Sequence, residues 1–390
     1  MKKILYVILF SCLLYGGDSI LSEQLQENLD LKEKKIEKSS KILKNSWINP
    51  LNLSISKGKN RVNSKMGDES YFNGKVSLHQ DIFRSGGIFY AIEYAEASRL
   101  LGLSQIKSQK NTQVISAYKL LLKILKNDKL QAQQRLYIQN SLLDIKRKKE
   151  QYLAGLVDIS FLNNAILGKI NQENMLLGLE DAKEVLVNEF AKLSDKDYKN
   201  IQILHVKIPS KEEYISQNIS LLVQKNQIEN KKLLSKLTRS QYLPKLSLNA
   251  SYDVMDTDSK IRDSHDKFYN YSLSLSMPFS INTFNDIESS KLEHLIALSE
   301  YNILKENQSK KYEKIIKDLE RIDKKISLAK KNIDIYDGIL LETKELVGAD
   351  IKTKDDLDIM ENSRLARNIE IQIRKLEYEE KKLELYENFY

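Results

Sequence analysis

Proline and glycine are scarce in this chain, 4 and 13 of 390 residues. These two residues punctuate turns, so a chain so short of them is unlikely to be loop-rich α/β and is built from a few very long elements. Length alone would allow two or three domains, but the supply of turns argues against that many independent globules. Cysteine is nearly absent: Cys12 is the only one, so no disulfide framework holds the chain together. Downstream of the first residues there is no uninterrupted apolar run of transmembrane length. What is there is 41% hydrophobic and 30% charged, rich in Lys and Glu, which excludes disorder and reads as elongated α.

The balance of 62 basic to 54 acidic side chains leaves +8. The charges are interspersed, as in Lys146-Arg147-Lys148-Lys149-Glu150, and no basic run carries the aromatic interleaving of a nucleic-acid platform. No nucleic-acid partner is expected. The four histidines, His79, His205, His265 and His294, fall in different segments without metal-ligand spacing. Phosphate loop, nucleophile elbow and nucleophilic cysteine are all missing, so neither an enzyme nor a cofactor is expected.

Met1-Lys2-Lys3, the apolar Ile4 to Tyr15, and Gly16-Gly17 form a secretory signal over residues 1–17, with cleavage near Gly16 or Gly17. Leu9-Phe10-Ser11-Cys12 has the form of a lipoprotein cleavage box, the alternative that would leave Cys12 acylated. The hydrophobic Leu13-Leu14-Tyr15 that follows favours ordinary cleavage.

The chain is written twice. Ser46-Trp47-Ile48-Asn49-Pro50-Leu51-Asn52-Leu53-Ser54 matches Ser240-Gln241-Tyr242-Leu243-Pro244-Lys245-Leu246-Ser247-Leu248, the prolines lying 194 residues apart. Ile36-Glu37-Lys38 pairs with Ile228-Glu229-Asn230 at 192, Phe83 with Phe279 at 196, and Gly155 with Gly348 at 193. The repeats are residues 18–205 and 206–390. Each reads as a polar helix (about 20–45 and 211–240), two short period-two strands, a long helix, a Gly-containing turn and another long helix. Leu51, Leu53, Ile55, then Val76, Leu78, then Leu246, Leu248, Ala250, Tyr252, then Tyr271, Leu273, Leu275, Met277 carry the strand alternation. Ser56 to Ser70 and Asp256 to Lys267 read as polar turn-like links. Val114, Tyr118, Leu121, Leu125, then Leu319, Ile322, Ile326, Ile333, Tyr336, Leu340, and finally Ile369, Ile373, Leu376, Leu383 keep heptad seams. Residues 88–148 would extend about 90 Å as one helix.

Four strands of about ten residues are long enough to cross an outer membrane but too few to close a barrel, so several chains would have to share one. A small soluble sheet is the other reading of the same alternation.

The duplicated helix, x-Leu-Pro-x-Leu-x-Leu strand, second strand and helical hairpin resemble the TolC-like outer membrane efflux protein family over essentially the whole mature chain. The closest local matches are Arg239 to Tyr252, Tyr271 to Phe279, and Tyr152-Leu153-Ala154-Gly155-Leu156-Val157-Asp158-Ile159 with Ala165. The resemblance implies a mainly α chain with a small β part: a homotrimer in which each copy gives four strands to a twelve-stranded outer membrane barrel and continues into a periplasmic α-helical tunnel. It implies a passive exit duct of a tripartite efflux or type I secretion system, working with a membrane-fusion adaptor and an inner-membrane pump. The turns at Gly155, Leu156, Val157, Asp158 and at Gly348 would be adaptor-docking tips, the second matching the family less closely. One or more of Asp355, Asp356 and Asp358 would form an acidic ring at the tunnel aperture, although acidic residues also suit the first turn of any helix. Tyr242, Tyr252, Tyr269 and Tyr271 would form an aromatic girdle, although ordinary β-propensity places tyrosine in strands too. Two rivals are a periplasmic coiled-coil scaffold and the adaptor itself; the latter lacks the Gly-rich β-domain segments expected around its hairpin.

Overall fold

The computed structural model describes residues 20–63, 67–258 and 263–389. The expected signal segment, residues 1–17, and Cys12 within it lie outside the described residues. The elements, in chain order, are α1 (Glu23–Lys44), β1 (Asn52–Asn63), β2 (Gly67–Phe83), α2 (Gly87–Leu153), α3 (Ile159–Ala191), a short 3₁₀ turn (Tyr198–Asn200) and α4 (Lys211–Ser216). Then come α5 (Ile219–Gln241), β3 (Lys245–Asp258), β4 (Asp263–Ser276), α6 (Thr283–Gly348) and α7 (Lys354–Tyr386). The helix expected over 88–148 is one unbroken 67-residue α2, about 100 Å long. The strands are longer than the alternating apolar residues suggest, 12, 17, 14 and 14 residues. The segments 56–70 and 256–267, expected to be polar links, are largely strand. Their polarity marks a change of environment along the same strands.

The chain forms two compact units, and each repeat contributes to both. One unit comprises residues 20–29, Lys107–Ile219 and residues 305–389. Its core is Ile115, Leu122, Val206, Tyr214, Ile315, Leu319, Leu383, Leu385 and Tyr386, of which Leu319 and Leu383 belong to the heptad seams. Tyr214 is fully buried, and its hydroxyl donates to Gln308 Oε1 at 2.7 Å. Burial pushes the Tyr214 phenol up to about 12. Ser210 and Glu213 close a reciprocal capping box at the start of α4.

In this unit four helices stand side by side. Gln134 on α2 donates to Gln172 O on α3 (2.8 Å), and Lys183 on α3 pairs with Asp128 on α2 (2.6 Å). On the other side of α2, Gln133 donates to Ala366 O and Asn140 to Ser363 Oγ on α7. Lys381 on α7 pairs with Asp318 on α6 (3.1 Å). The order is α3-α2-α7-α6, with α3 and α6 as outer members. α3 exposes Phe161, Leu167, Met175, Leu177 and Val185, and α6 exposes Leu328, Ile335 and Leu341.

The second unit, Asp30–Ile106 with Ser220–Leu304, holds the sheet, in order β1-β2-β3-β4 with every neighbour antiparallel. Its helices approach closely at Gly102, where a Cβ would come within 3.0 Å of Ile36 Cδ1. Arg99 on α2 reaches Glu37 on α1 at 2.9 Å, and Asn230 on α5 donates to Ser98 Oγ at 2.7 Å.

Candidate functional site

The register sorts every strand residue onto one of two faces. On the first face, Leu53, Val76, Tyr252 and Tyr269 stand in one row across the four strands, and Ile55, Gly74, Val254 and Lys267 in the next. Toward the helices the same face carries Leu78, Ala250, Tyr271, then Leu248, Leu273, then Leu246, Leu275. Much of this face is uncovered among the described residues: Tyr269 and Tyr271 are each 77% exposed and Leu275 74%. On the second face stand Asn52, Ser77, Ser251 and Asn270, and Ser54, Lys75, Asp253 and Phe268. Lys75 and Asp253 pair there at 3.2 Å, and His79 Nδ1 donates to Asn249 Oδ1 at 2.5 Å. Near the helices Asp81, buried, accepts from Ser247 Oγ at 2.5 Å and from Arg84 Nε at 2.6 Å. The sheet is thus largely apolar on one side and largely hydrophilic on the other.

Among the described residues the two outer strands, β1 and β4, have one partner each. Strand direction alternates β1 to β4, so β1 and β4 run antiparallel to each other. Each edge presents a row of backbone groups able to continue an antiparallel ladder. Among the described residues no helix is long and apolar enough to cross a membrane.

Of the tyrosines expected in a girdle, Tyr252 and Tyr269 are direct cross-strand partners and Tyr271 lies one row away on the same face. Tyr242 lies before β3, where its hydroxyl donates to Asp286.

The hairpin tips belong to the other unit. Just past α2 the chain reverses at Gly155, φ 72°, with Leu156 N donating to Gln151 O and Gly155 N to Tyr152 O, the two bonds of a Schellman motif. Asp158 caps α3 by accepting from Ser160 N at 2.9 Å, which holds its carboxyl below the usual range. Leu156 is 74% exposed. At the second tip the glycine is not the residue of positive φ: Gly348 is the last residue of α6, and Asp350 takes φ 55°. Ile351 N donates to Leu346 O and Asp350 N to Val347 O, the same pair of bonds two residues further on. Gly348 is still helical because a Schellman reversal places its left-handed residue just past the helix, at the C′ position.

The three acidic residues beyond this turn are not equivalent. Asp356 closes a capping box with Thr353 and lies 3.4 Å from Arg147; Thr353 first, then Arg147, holds its carboxyl below the usual range. Asp355 pairs with Lys146 at 2.8 Å and raises that ammonium's pKa. Asp358, half-buried one turn into α7, has no ion pair among the described residues. The cations tying α2 to the start of α7, Lys146 and Arg147, sit in a charge run whose partners no spacing rule identifies.

Solved structures share this architecture. VceC, an outer membrane protein of Vibrio cholerae, is 13% identical, matches over 93% of this chain and 92% of its own, and has a TM-score of 0.72. The CmeC outer membrane channel of Campylobacter jejuni is 13% identical over 95% and 84%, with a TM-score of 0.73. The MtrE outer membrane channel of Neisseria gonorrhoeae is 13% identical over 97% and 87%, with a TM-score of 0.63. No protein-family model and no curated protein sequence matches the chain. The fold is therefore TolC-like, that of outer membrane channel proteins.

Proposed function

We propose that a chain with this fold is an outer membrane exit duct, carrying cargo from an inner-membrane pump and its periplasmic adaptor to the exterior, with no chemistry of its own. The observation that carries the reading is the two-faced sheet with open edges. Its apolar side runs from Tyr269 on β4 to Met277, the first residue past the strand, about 27 Å at a strand's rise, and tilted as in a barrel this covers about 20 Å. That is close to the outward apolar band of an outer membrane barrel. The opposite side, of Ser, Asn, Lys, Asp and His, suits a water-filled lumen.

An open sheet cannot stand in hydrocarbon, so copies must close it edge to edge, β1 of one beside β4 of the next. Two copies of four strands would give about eight, an interior that side chains fill. Three copies, hence twelve strands, is the smallest ring that leaves a passage, and the homotrimer is the assembly proposed here. The same ring would cover the outer helices α3 and α6, whose Leu, Ile and Met side chains named above are exposed in a single copy. The remaining helices then form the periplasmic tunnel, with Gly155, Leu156, Val157 and Asp158, and Gly348 with its turn, as adaptor-docking tips. Of the aperture candidates Asp355, Asp356 and Asp358, the last is best placed to face the pore, because the other two carboxylates are held by Lys146, Thr353 and Arg147. A soluble periplasmic scaffold would have to leave the whole apolar face in water.

The test is cell fractionation followed by detergent extraction. A detergent-stable trimer from the outer membrane is expected; a soluble monomer or dimer overturns the reading. Replacing Gly155 and Val157 with bulky charged residues should then abolish export while the trimer still assembles.

A further inference from the structure

The internal duplication extends into the register of the strands. Moving β1 by 195 residues and β2 by 197 reproduces the β3–β4 hairpin pair for pair. Asn52–Ser77 becomes Ser247–Ser274, Leu53–Val76 becomes Leu248–Leu273, and Ile55–Gly74 becomes Ala250–Tyr271. The correspondence holds as far as Arg61–Asp68, which becomes Asp256–His265. Pro50 and Pro244, 194 residues apart, give a different offset, which would set Leu53 of the apolar face on Ser247 of the hydrophilic one. Strand register, and not the prolines, therefore fixes which residues of the two hairpins are equivalent.

Between the hairpins, β2 pairs with β3 from Ser70–Asp258 to Asp81–Ser247 without a shift. This is the joint between the second strand of one repeat and the first strand of the other. In a closed ring of copies there is one more joint of that kind, from β4 to β1 of the next copy. It is a head-to-tail contact, which closes a ring only if every joint repeats the same geometry. The β2–β3 ladder is thus a template, within one chain, for the edge that a single copy leaves open.

Resting on the duct reading, we infer that β4 meets β1 of a second copy in the β2–β3 register carried over by those offsets, so that Ser274 stands opposite Ser56 of the next copy. Ser77–Ser251 supplies that pair. Leu78–Ala250 likewise places Leu275 opposite Ile55, His79–Asn249 places Ser276 opposite Ser54, and Gly74–Val254 places Tyr271 opposite Lys59. The register comes from other strands, yet it matches β4 and β1 in kind. Leu275 and Ile55, 74% and 69% exposed in one copy, cover each other on the apolar face. Serine hydroxyls oppose each other on the hydrophilic face, where they can hydrogen-bond across the joint. Lys59 comes within reach of the exposed Tyr271 ring, a cation–π pair. A slip of one residue would set Leu275 against a serine and turn every β1 side chain to the wrong face.

The experiment uses the full-length protein in outer membranes, with the trimer first confirmed by detergent extraction. Cysteine pairs are oxidised with copper phenanthroline and the chains separated on denaturing gels without reductant; the parent, whose only cysteine is Cys12, is the blank. Ser77→Cys with Ser251→Cys, the template pair, should close inside one copy and leave a single-chain band. Ser274→Cys with Ser56→Cys should give covalent dimers and trimers that reductant reverses. Ser274→Cys with Ser54→Cys, and Ser276→Cys with Ser56→Cys, are each two residues out of register. Both should link several-fold less, because diagonal neighbours about 7–8 Å apart lie beyond the reach of a disulfide. Should the template pair not oxidise, a short bis-thiosulfonate linker replaces the oxidant; should a serine variant not assemble, Leu275→Cys with Ile55→Cys makes the comparison on the other face. Absence of a trimer in the parent would overturn the duct reading itself. A trimer in which a displaced pair links as well as Ser274→Cys with Ser56→Cys, or in which no pair links the copies, would overturn this register alone.

Discussion

Gly155 and Asp350 hold the same backbone conformation at the ends of the two longest helices, φ 72° and 55°, and each precedes a residue whose N–H reaches back five positions. Only the first position has the residue that the conformation favours. An aspartate in the left-handed region gives up about 1 kcal/mol relative to glycine. Asp350→Gly should therefore slow hydrogen exchange of the amides at 350 and 351, while Gly155→Val should speed it at 155 and 156 by a comparable factor. Unchanged exchange in both variants would show that the turns are held by something other than their own reversal.

Glu387 clamps two long helices, accepting from Lys119 on α2 and from Lys311 on α6, the latter at 2.8 Å. Burial alone would raise its pKa, but the two ammonium groups outweigh burial and leave it lowered. A lowered carboxylate contributes stability that is fully present above its unfolded value of about 4.3 and is lost as pH falls through the lower folded value. Glu387→Gln should cost about 1 kcal/mol at pH 7, after allowance for its partial exposure. Urea titrations of the two proteins should converge as the pH is taken below 4; a constant difference down to pH 3 would assign the loss to packing.

Much of this architecture can be read before folding, and the parts that cannot share a physical reason. Pro50 and Pro244 mark the strand starts because a missing N–H fits only there, and seams such as Leu319, Ile326 and Leu383 end up buried as their spacing demands. The strand ends were hidden because Lys57, Asp256, His265 and Lys267 are polar for the solvent they meet, whereas strand pairing is decided by backbone bonds that composition does not display. Asp350 was hidden for the converse reason: Gly348 has the permissive side chain, but helix phase decides where the reversal falls. The pairing of Lys146 and Arg147 with Asp355 and Asp356 joins residues more than two hundred apart, beyond any local pattern.

Those two pairs tie α2 to the first turn of α7, so they resist any movement of the second hairpin tip away from the first. Arg147→Glu places like charges beside Asp356, and with Lys146→Glu both ties become repulsive. In planar bilayers the double variant should conduct more than the parent, and high salt should narrow the difference by screening the added repulsion. Asp358→Asn should lower cation preference without changing conductance as much, since Asp358 has no tie to break. If Asp358→Asn left selectivity unchanged while Asp355→Asn altered it, the pore-facing carboxylate would be Asp355.

Leu273 and Ser274 are successive residues on β4 that point to opposite faces. Leu273→Arg puts a charge into the middle of the apolar band, at a cost of about 2–4 kcal/mol if that band contacts lipid. Ser274→Arg puts the same charge on the hydrophilic face, where it stays hydrated. Quantitative extraction from outer membranes should show the trimer sharply reduced for Leu273→Arg and near parent level for Ser274→Arg. Three copies of the new arginine should also shift ion preference toward anions in the Ser274 variant. Equal tolerance of both changes would mean that water bathes both faces, and the sheet would not be a membrane wall.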